Sequence, residues 1–331
     1  MQTIFDGGSY IVWERYLHEM PTQAEGTELI ESMLGREMAH WRGVFPDCAR
    51  RMVLDLGVFA TGPDLNVEPG VNYKVWMDQQ MQYVATQPDF DGLFGLQWWY
   101  SGYATEELLR WERALYRHYA IEGKTELLSA GYGWSLLSGH VQNPDFADGT
   151  TGWELDPAAA DSLSAGYLER YARAENRYWN RGVEPDYPAG NAYLLMKRQP
   201  GKGNSALQTV QHLEPGKLYS AEAITADFED ITHGVSRSYA HGFTLAVEGA
   251  KAVEEGSYND VPVSSPWTHE QLPFKNGPAF FNHHRVLFRA TSDTAKLILD
   301  DGAPGTLTAE QAGRQLMVNY IQVEPYFEEE K

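Results

Sequence analysis

Glu14 and Glu19 lie in and just after the first strand-like run, Tyr10 to Leu17 (YIVWERYL). Cleavage of a sugar–sugar bond needs two carboxyl groups, a proton donor and a nucleophile or base, flanking the scissile bond. In a parallel barrel such groups sit at the C-terminal strand ends, which places Glu19 better than Glu14. A solvated loop position before Pro21, and an ion pair of Glu14 with Arg15 or Arg51, account for the same residues without chemistry. Asp55, inside the run RMVLDLGVF, reads as a buried, paired carboxylate. No second carboxylate stands out at the ends of the next two strands. Trp98 and Trp99 end the third apolar run. Successive strand residues face opposite ways, so one can pack under helices while the other floors a pocket. A flat ring suits the C–H face of a pyranose.

Further along, Tyr193 lies beside a long polar stretch that contains Trp179 and Tyr187, and Tyr258 and Trp267 lie in polar surroundings. Binding residues gather on loops of a rigid scaffold, so these five rings form the pool from which stacking residues come. Gln208 and Gln211 can both donate and accept, as sugar hydroxyls require. Strand alternation puts them on opposite sides, so at most one lines a groove. Gly201-Lys-Gly203-Asn-Ser-Ala206 matches a loose G-x-G-x-x-A pattern but precedes a strand-like run rather than a helix, so a hairpin turn fits better than a dinucleotide loop. His283-His284 has no carboxylate or cysteine at a ligand spacing, and no metal site follows from the residues.

The 331 residues carry 26 Lys plus Arg against 46 Asp plus Glu, a net charge of −20. That sign repels phosphate backbones and excludes nucleic acid and anionic membranes as partners. One cysteine, Cys48, excludes an intrachain disulfide and the Cys-rich zinc sites. No apolar run reaches the length of a membrane span. Met1 to Asp6 has neither the basic nor the apolar region of a signal peptide. Thirteen per cent of the chain is aromatic, which suits a neutral ligand that stacks on rings.

The elements that must position these residues change character along the chain. Up to about residue 125, strand and helix patterns alternate. Thr22-Gln-Ala-Glu25 is a capping box before a stripe of Ile30, Leu34, Met38 and Trp41. Tyr73, Met77, Met81 and Val84 stripe a second helix, and Leu108, Trp111, Leu115 and Tyr119 a third, capped by Thr105. Strands separated by helices pair in parallel. Their forty-residue pitch is that of (β/α) barrel units, of which three fit where a whole barrel needs about 250 residues. From Asn143 onward short alternating runs separated by turns predict an antiparallel sandwich. The fold class expected is therefore multidomain, α/β plus all-β: a partial (β/α) barrel (1–125), a Gly- and Ser-rich linker (126–142) and a jelly-roll β-sandwich (143–327).

Three pieces carry a resemblance. Asn143-Pro-Asp-Phe146 with Gly149 and Gly152-Trp153, then Gln208-Thr-Val-Gln-His-Leu213-Glu-Pro-Gly216-Lys-Leu-Tyr219, then Leu316 to Val323, resemble in order the conserved stretches of CenC-type carbohydrate-binding modules. The segment Leu108 to Asn143 is similar to the C-terminal part of TIM-barrel glycoside-hydrolase-like proteins in which such a module follows the barrel. The resemblance implies a polysaccharide or oligosaccharide ligand, a secreted or periplasmic parent protein, and a structural calcium ion in the sandwich, although Asn319 stands where the module family often has Asp. No other cofactor is implied. Two readings stay open: a polysaccharide-binding module joined to an incomplete glycosidase barrel, and a non-catalytic binding or interaction protein whose barrel remnant is scaffold. Three βα units leave two sheet edges unpaired, so the chain alone should self-associate or be poorly soluble despite its charge. Light scattering checks this, and a clean monomer with cooperative unfolding of residues 1–125 counts against an incomplete barrel.

Overall fold

The computed structural model describes residues 7–59, 67–99, 101–169, 190–199, 201–235, 237–265, 279–302, 307–308 and 311–328. Two compact units divide between Leu137 and Ser138. In the first, β1 (Ile11–Arg15), β2 (Met52–Gly57) and β3 (Gly95–Trp99) form a parallel sheet in the order β1-β2-β3. α1 (Gln23–Ile30) passes through a π-helical turn (Glu31–Arg36) into α2 (Glu37–Val44), which joins β1 to β2. Thr22 caps this helix: its hydroxyl accepts the Glu25 amide at 3.3 Å and donates to the Glu25 carboxylate at 2.7 Å. α3 (Tyr73–Thr86) joins β2 to β3, and α4 (Glu106–Tyr116) follows β3, with Thr105 accepting the Leu108 amide. Leu108, Trp111 and Leu115 are buried along α4, as their spacing predicts.

α3 departs from the simple stripe. Its first half is buried all round, including Lys74, Trp76 and Asp78. The cause is the segment read from composition as a linker, whose first part belongs to this unit. It holds α5 (Leu128–Gly131). Asp78 accepts the Tyr119 hydroxyl at 2.5 Å and the Ser129 amide at 2.7 Å. Lys74 pairs with Glu107 at 3.2 Å, Trp134 packs on Trp111 and Tyr132, and Val71 bridges Leu137.

The second unit is a sheet-on-sheet structure. Six strands run in the order β10-β11-β8-β13-β6-β5, and four in the order β4-β7-β12-β9. They are β4 (Glu154–Asp156), β5 (Leu163–Tyr167), β6 (Ala192–Lys197), β7 (Ser205–Val210), β8 (Leu218–Asp227), β9 (Thr244–Glu248), β10 (Ala250–Ser265), β11 (Ala279–Ala290), β12 (Ala295–Asp300) and β13 (Gln315–Pro325), with one short helix, α6 (Phe228–His233), after β8. All described pairings in both sheets are antiparallel. Leu194, Met196, Phe288 and Val318 from the six strands meet Ala206, Val210, Leu245, Leu297 and Leu299 from the four. A second cluster lies on the opposite face of the six strands, built from Tyr193, Leu195, Ile224, Phe281, Met317 and Tyr320. β13 is buried on both faces, and Asn319, Gln322 and Glu324 are buried in it among the apolar residues.

The Gly201–Ala206 segment is not a hairpin. It carries the chain from β6 in one sheet to β7 in the other. Gly203 is required there because a Cβ would lie 2.8 Å from the Gly302 carbonyl. Beside this corner a buried polar relay links the sheets. The Asp260 amide donates to His284 Nδ1 at 3.1 Å. His284 Nε2 must then carry the proton, which it donates to Thr225 Oγ1 at 2.9 Å, and the Thr225 hydroxyl donates to His241 Nδ1 at 2.7 Å. Burial holds both imidazoles neutral, with the nearby Arg198 charge acting on His241 and His241 and His283 acting on His284. His241 is pushed down to about 3, and His284 is held well below the usual histidine range.

An unfolded chain protonates both rings below about pH 6.5 while the folded one does not, so their stabilising contribution is present above that pH and is lost as pH falls. Asp260 and Asp301, raised by burial, act with the opposite sign, as does Glu112 of the first unit, pushed up to about 7 by burial, so the histidine share is read as the difference between the wild type and a histidine variant. Below about pH 6.5 each ring should contribute a fall of up to about 1.4 kcal/mol per pH unit to the stability from urea melts. His241→Asn should remove one ring's share of the slope; an unchanged slope would show that this ring does not stay neutral.

Candidate functional sites

The helices of the first unit cover one face of the parallel sheet, where Trp13, Leu54 and Leu56 are buried. The other face carries a lateral row, because parallel register pairs Glu14 with Asp55 and Asp55 with Gln97. Glu14 is exposed, while Asp55 between its neighbours is 1% exposed. Burial raises the Asp55 carboxyl above the usual range, the Gln97 amide lowers it as a hydrogen-bond donor, and the Glu14 charge raises it. Strands about 4.8 Å apart bring two carboxylates into a repulsion of about 3 kcal/mol at an effective dielectric of ~20. The Tyr16 hydroxyl bonds to Glu14 and is itself pushed up by burial and by both carboxylates.

The aromatic pair at the end of β3 splits. Trp98 pairs laterally with Leu56 on the helix side, and its Nε1 meets no acceptor among the described residues. Trp99 pairs with Gly57 on the side of Glu14, Asp55 and Gln97, and is 46% exposed. Glu19 stands apart from this row. It is fully buried four residues beyond β1, and its Oε2 accepts the Glu68 amide at 3.0 Å. Asp55 and Gln97 were the members that sequence alone did not join to Glu14; the signal was the alternation in RMVLDLGVF and GLQWWY, which sets both on the face opposite Leu56 and Trp98.

In the sandwich, a second lateral row crosses four strands on the outer face of the six-stranded sheet: Tyr258, Arg285, Glu222 and Gln322 are successive partners on β10, β11, β8 and β13. The Arg285 guanidinium lies over the Tyr258 ring at 5.1 Å, and its Nη1 is 3.9 Å from Glu222. Tyr258 is pushed up to about 12, mainly by burial. The Tyr320 hydroxyl donates to Gln322, which donates to Glu324. Tyr193 is on the same face but packed into the second cluster at 4% exposure. Its ring fills the space above Gly166 of the neighbouring strand, where a Cβ would come within 2.5 Å of it. Trp179, Tyr187 and Trp267 lie outside the described residues.

A third concavity, about 520 Å³, is bordered by His140, Gln142, Glu154, Gln208, Gln211 and Lys296. Gln208 and Gln211 both border it, contrary to the alternation argument, because β7 ends at Val210 and alternation stops there. The Gln208 amide is committed to the backbone of Gln142, accepting its N–H at 2.7 Å and donating to its carbonyl at 2.9 Å. Asn319 donates to the Gly190 carbonyl, and Asp145 accepts the Tyr320 amide. Among the described residues no three His, Cys, Asp or Glu side chains converge as a metal ion would need.

No family model matches the chain, and no curated protein matches it. Solved structures do. TmCBM61 in complex with beta-1,4-galactotriose is similar over 56% of this chain and 98% of its own, at 11% identity and a TM-score of 0.30. The enzymatically active domain of tailspike protein 4 from bacteriophage CBA120 is similar over 56% of this chain and 21% of its own, at 10% identity and a TM-score of 0.32. A structure of carbohydrate-binding modules from the β-sandwich superfamily is similar over 57% and 64%, at 8% identity and a TM-score of 0.25. At these scores nothing about ligand or activity passes from those proteins to this chain.

The Gly166–Tyr193 contact is directly testable. Gly166→Ala should destabilise the second unit by about 1–3 kcal/mol, the usual cost of overpacking. The same change in a Tyr193→Ala background should cost far less. Equal costs in denaturant melts would show that the ring does not occupy that space.

Proposed function

We propose that the protein is carbohydrate-active: its β-sandwich binds an oligosaccharide or polysaccharide, and its parallel-sheet unit is the remnant of a glycosidase-type barrel. The observation that supports this best is the row of Tyr258, Arg285, Glu222 and Gln322 on one sheet face. It spans about 14 Å, three strand spacings, and alternates a ring with donors and acceptors. Exchanging water for protein hydrogen bonds nets only about 1 kcal/mol each, so the ring must supply much of the gain by covering the C–H face of a sugar, at ~25 cal/mol per Å². Arg285 and Glu222 hold one another in place and offer the sugar hydroxyls one donor and one acceptor group. The net charge of −20 favours a neutral glycan over a strongly anionic one. Trp179, Tyr187 and Trp267 complete the pool of sandwich rings proposed from the sequence, and Tyr193, packed against Gly166 at 4% exposure, leaves it.

In the parallel-sheet unit, Trp99 is the stacking residue and Glu14 an exposed carboxyl on the same face, two strands away. Trp98, on the opposite face with Leu56, takes no part in stacking. Glu19, whose carboxylate holds the loop at Glu68, is the weaker candidate for a catalytic role. That commitment of Glu19 favours a second reading, in which the unit is scaffold and the chain binds without cleaving. Release of reducing ends from soluble glucans, xylans, mannans and galactans separates the two. Under the first reading Glu14→Gln abolishes release; under the second there is none to abolish.

The binding reading is checked by affinity electrophoresis of the full chain in gels containing the same polysaccharides. Tyr258→Ala should weaken retardation by about tenfold, the loss of about 1.4 kcal/mol of ring contact, with the fold intact by circular dichroism. Absence of retardation by every neutral glycan would overturn the proposal.

A further inference from the structure

One group on the face of the parallel sheet opposite Leu54 and Leu56 has no part in the function proposed above. Asp55 is enclosed, and no hydrogen bond reaches its Oδ1 among the described residues. Its lateral neighbours are the exposed Glu14 and the amide of Gln97. Among the described residues no Lys or Arg acts on it. An enclosed carboxylate without a cation is costly, and the ordinary escape is to keep the proton. Parallel register sets Glu14 beside Asp55 on one face, near enough for the Glu14 charge to act on the Asp55 carboxyl. Two residues further along β3, on the same face, stands the half-exposed ring of Trp99.

We propose that Asp55 is a positioning residue for Glu14, an enclosed neutral neighbour that keeps its own proton and so spares the row a second charge, in a site that takes a neutral pyranose on the Trp99 ring. The sugar part of this inference rests on the carbohydrate reading above; the proton on Asp55 does not. With the proton in place the face carries one negative charge, and Glu14, steadied by the Tyr16 hydroxyl, accepts hydrogen bonds from ring hydroxyls. Once the proton leaves, two like charges stand side by side, draw in water and separate. The other titratable groups around Asp55 are Glu14 and Tyr16 from the β1 segment, and Tyr116 from α4 with Glu112 one turn before it. Glu112 is itself pushed up to about 7 by burial, and its proton is the nearest one that could be mistaken for that of Asp55.

The test is a carboxyl carbon NMR titration of the full chain in the wild type and in Asp55→Asn, Glu14→Gln and Glu112→Gln. One Asp signal should titrate above the usual range, vanish in Asp55→Asn, move down in Glu14→Gln because the like charge is gone, and persist in Glu112→Gln. An Asp55 signal in the ordinary range, or one indifferent to Glu14→Gln, overturns the proposal. Glu14 is exposed, so its replacement keeps the test valid even if Asp55→Asn does not fold. Sugar is then read separately at the Trp99 indole signal, assigned with Trp99→Phe, using cellohexaose, xylohexaose and mannohexaose. Affinity there should fall about tenfold as pH rises through the Asp55 titration, and the pH dependence should disappear in Asp55→Asn. Coupled titration with no response of Trp99 to any of the three sugars would retain the carboxyl pair and overturn the pyranose assignment and, for this unit, the carbohydrate reading.

Discussion

The two-residue period of the β-strand governs both units. Each candidate site is a lateral row, and a row exists only because residues in register on neighbouring strands share a face while those next to them in sequence do not. Glu14, Asp55 and Gln97 share one side of the parallel sheet because Trp13, Leu54 and Leu96 take the other. The same rule separates Trp98 from Trp99 and sets Tyr193 against Leu194. A one-residue slip in β2 would carry Asp55 into the helix-covered layer and Leu54 or Leu56 out of it, so burial of the leucines fixes the register of the carboxylates. Packing energy, not polar contact, places the chemistry.

At one end of the sandwich the same dependence runs through a cation. Arg198, 9% exposed, donates to the carbonyls of Asp301 and Gln311 and to those of His241 and Gly242. Asp301 in turn accepts the amide of Asn204 and its side chain at 2.8 and 2.6 Å, and Asn204 accepts from Ser162 and the Ala158 amide. One guanidinium thus ties the segments after β6 and β12 to the approach to β9. The relay of His241, Thr225 and His284 begins where that tie ends. Backbone groups cross from one sheet to the other here, and without these side chains their buried carbonyls would be unpaired.

Much of the fold was legible because the residues that carry it obey local rules. Thr22, Thr105 and the stripe of Leu108, Trp111 and Leu115 did what capping and periodicity require. The stretches that resembled a carbohydrate-binding module turn out to be architectural. Asn143 closes its own turn onto Gly149, Thr151 and Asp148, and receives the Trp153 indole, while Phe146 packs on Trp153. The irregularity in β13 bonds to the same turn through Ile321 and Tyr320. The Tyr219 hydroxyl accepts the Glu214 amide and holds the Pro-Gly turn. A motif of this kind announces a scaffold and leaves the ligand unspecified. The candidate sites were less legible because they depend on pairings between residues 27 to 100 positions apart. Nothing local to Asp55 joins it to Glu14 and Gln97, or Tyr258 to Arg285, Glu222 and Gln322. Composition misled in the region 126–137, where the Ser129 amide bonds to buried Asp78 and the Trp134 ring lies against buried Lys74.

The π-helical turns of the first unit, Glu31–Arg36 and Arg117–Ile121, hold slightly more chain per turn than the α-helices around them. One residue advances an α-helix by about 100° of rotation. The first turn therefore sets the angle at which α2 presents Met38 to the core, and at its centre Gly35 lets the backbone approach the Tyr83 hydroxyl where any Cβ would collide. Removing one residue between Thr22 and Met38 would leave the helix almost as long but turn α2 about its own axis, putting exposed Ala39 where buried Met38 stands. In this part of the chain an indel acts as a rotation rather than a shortening.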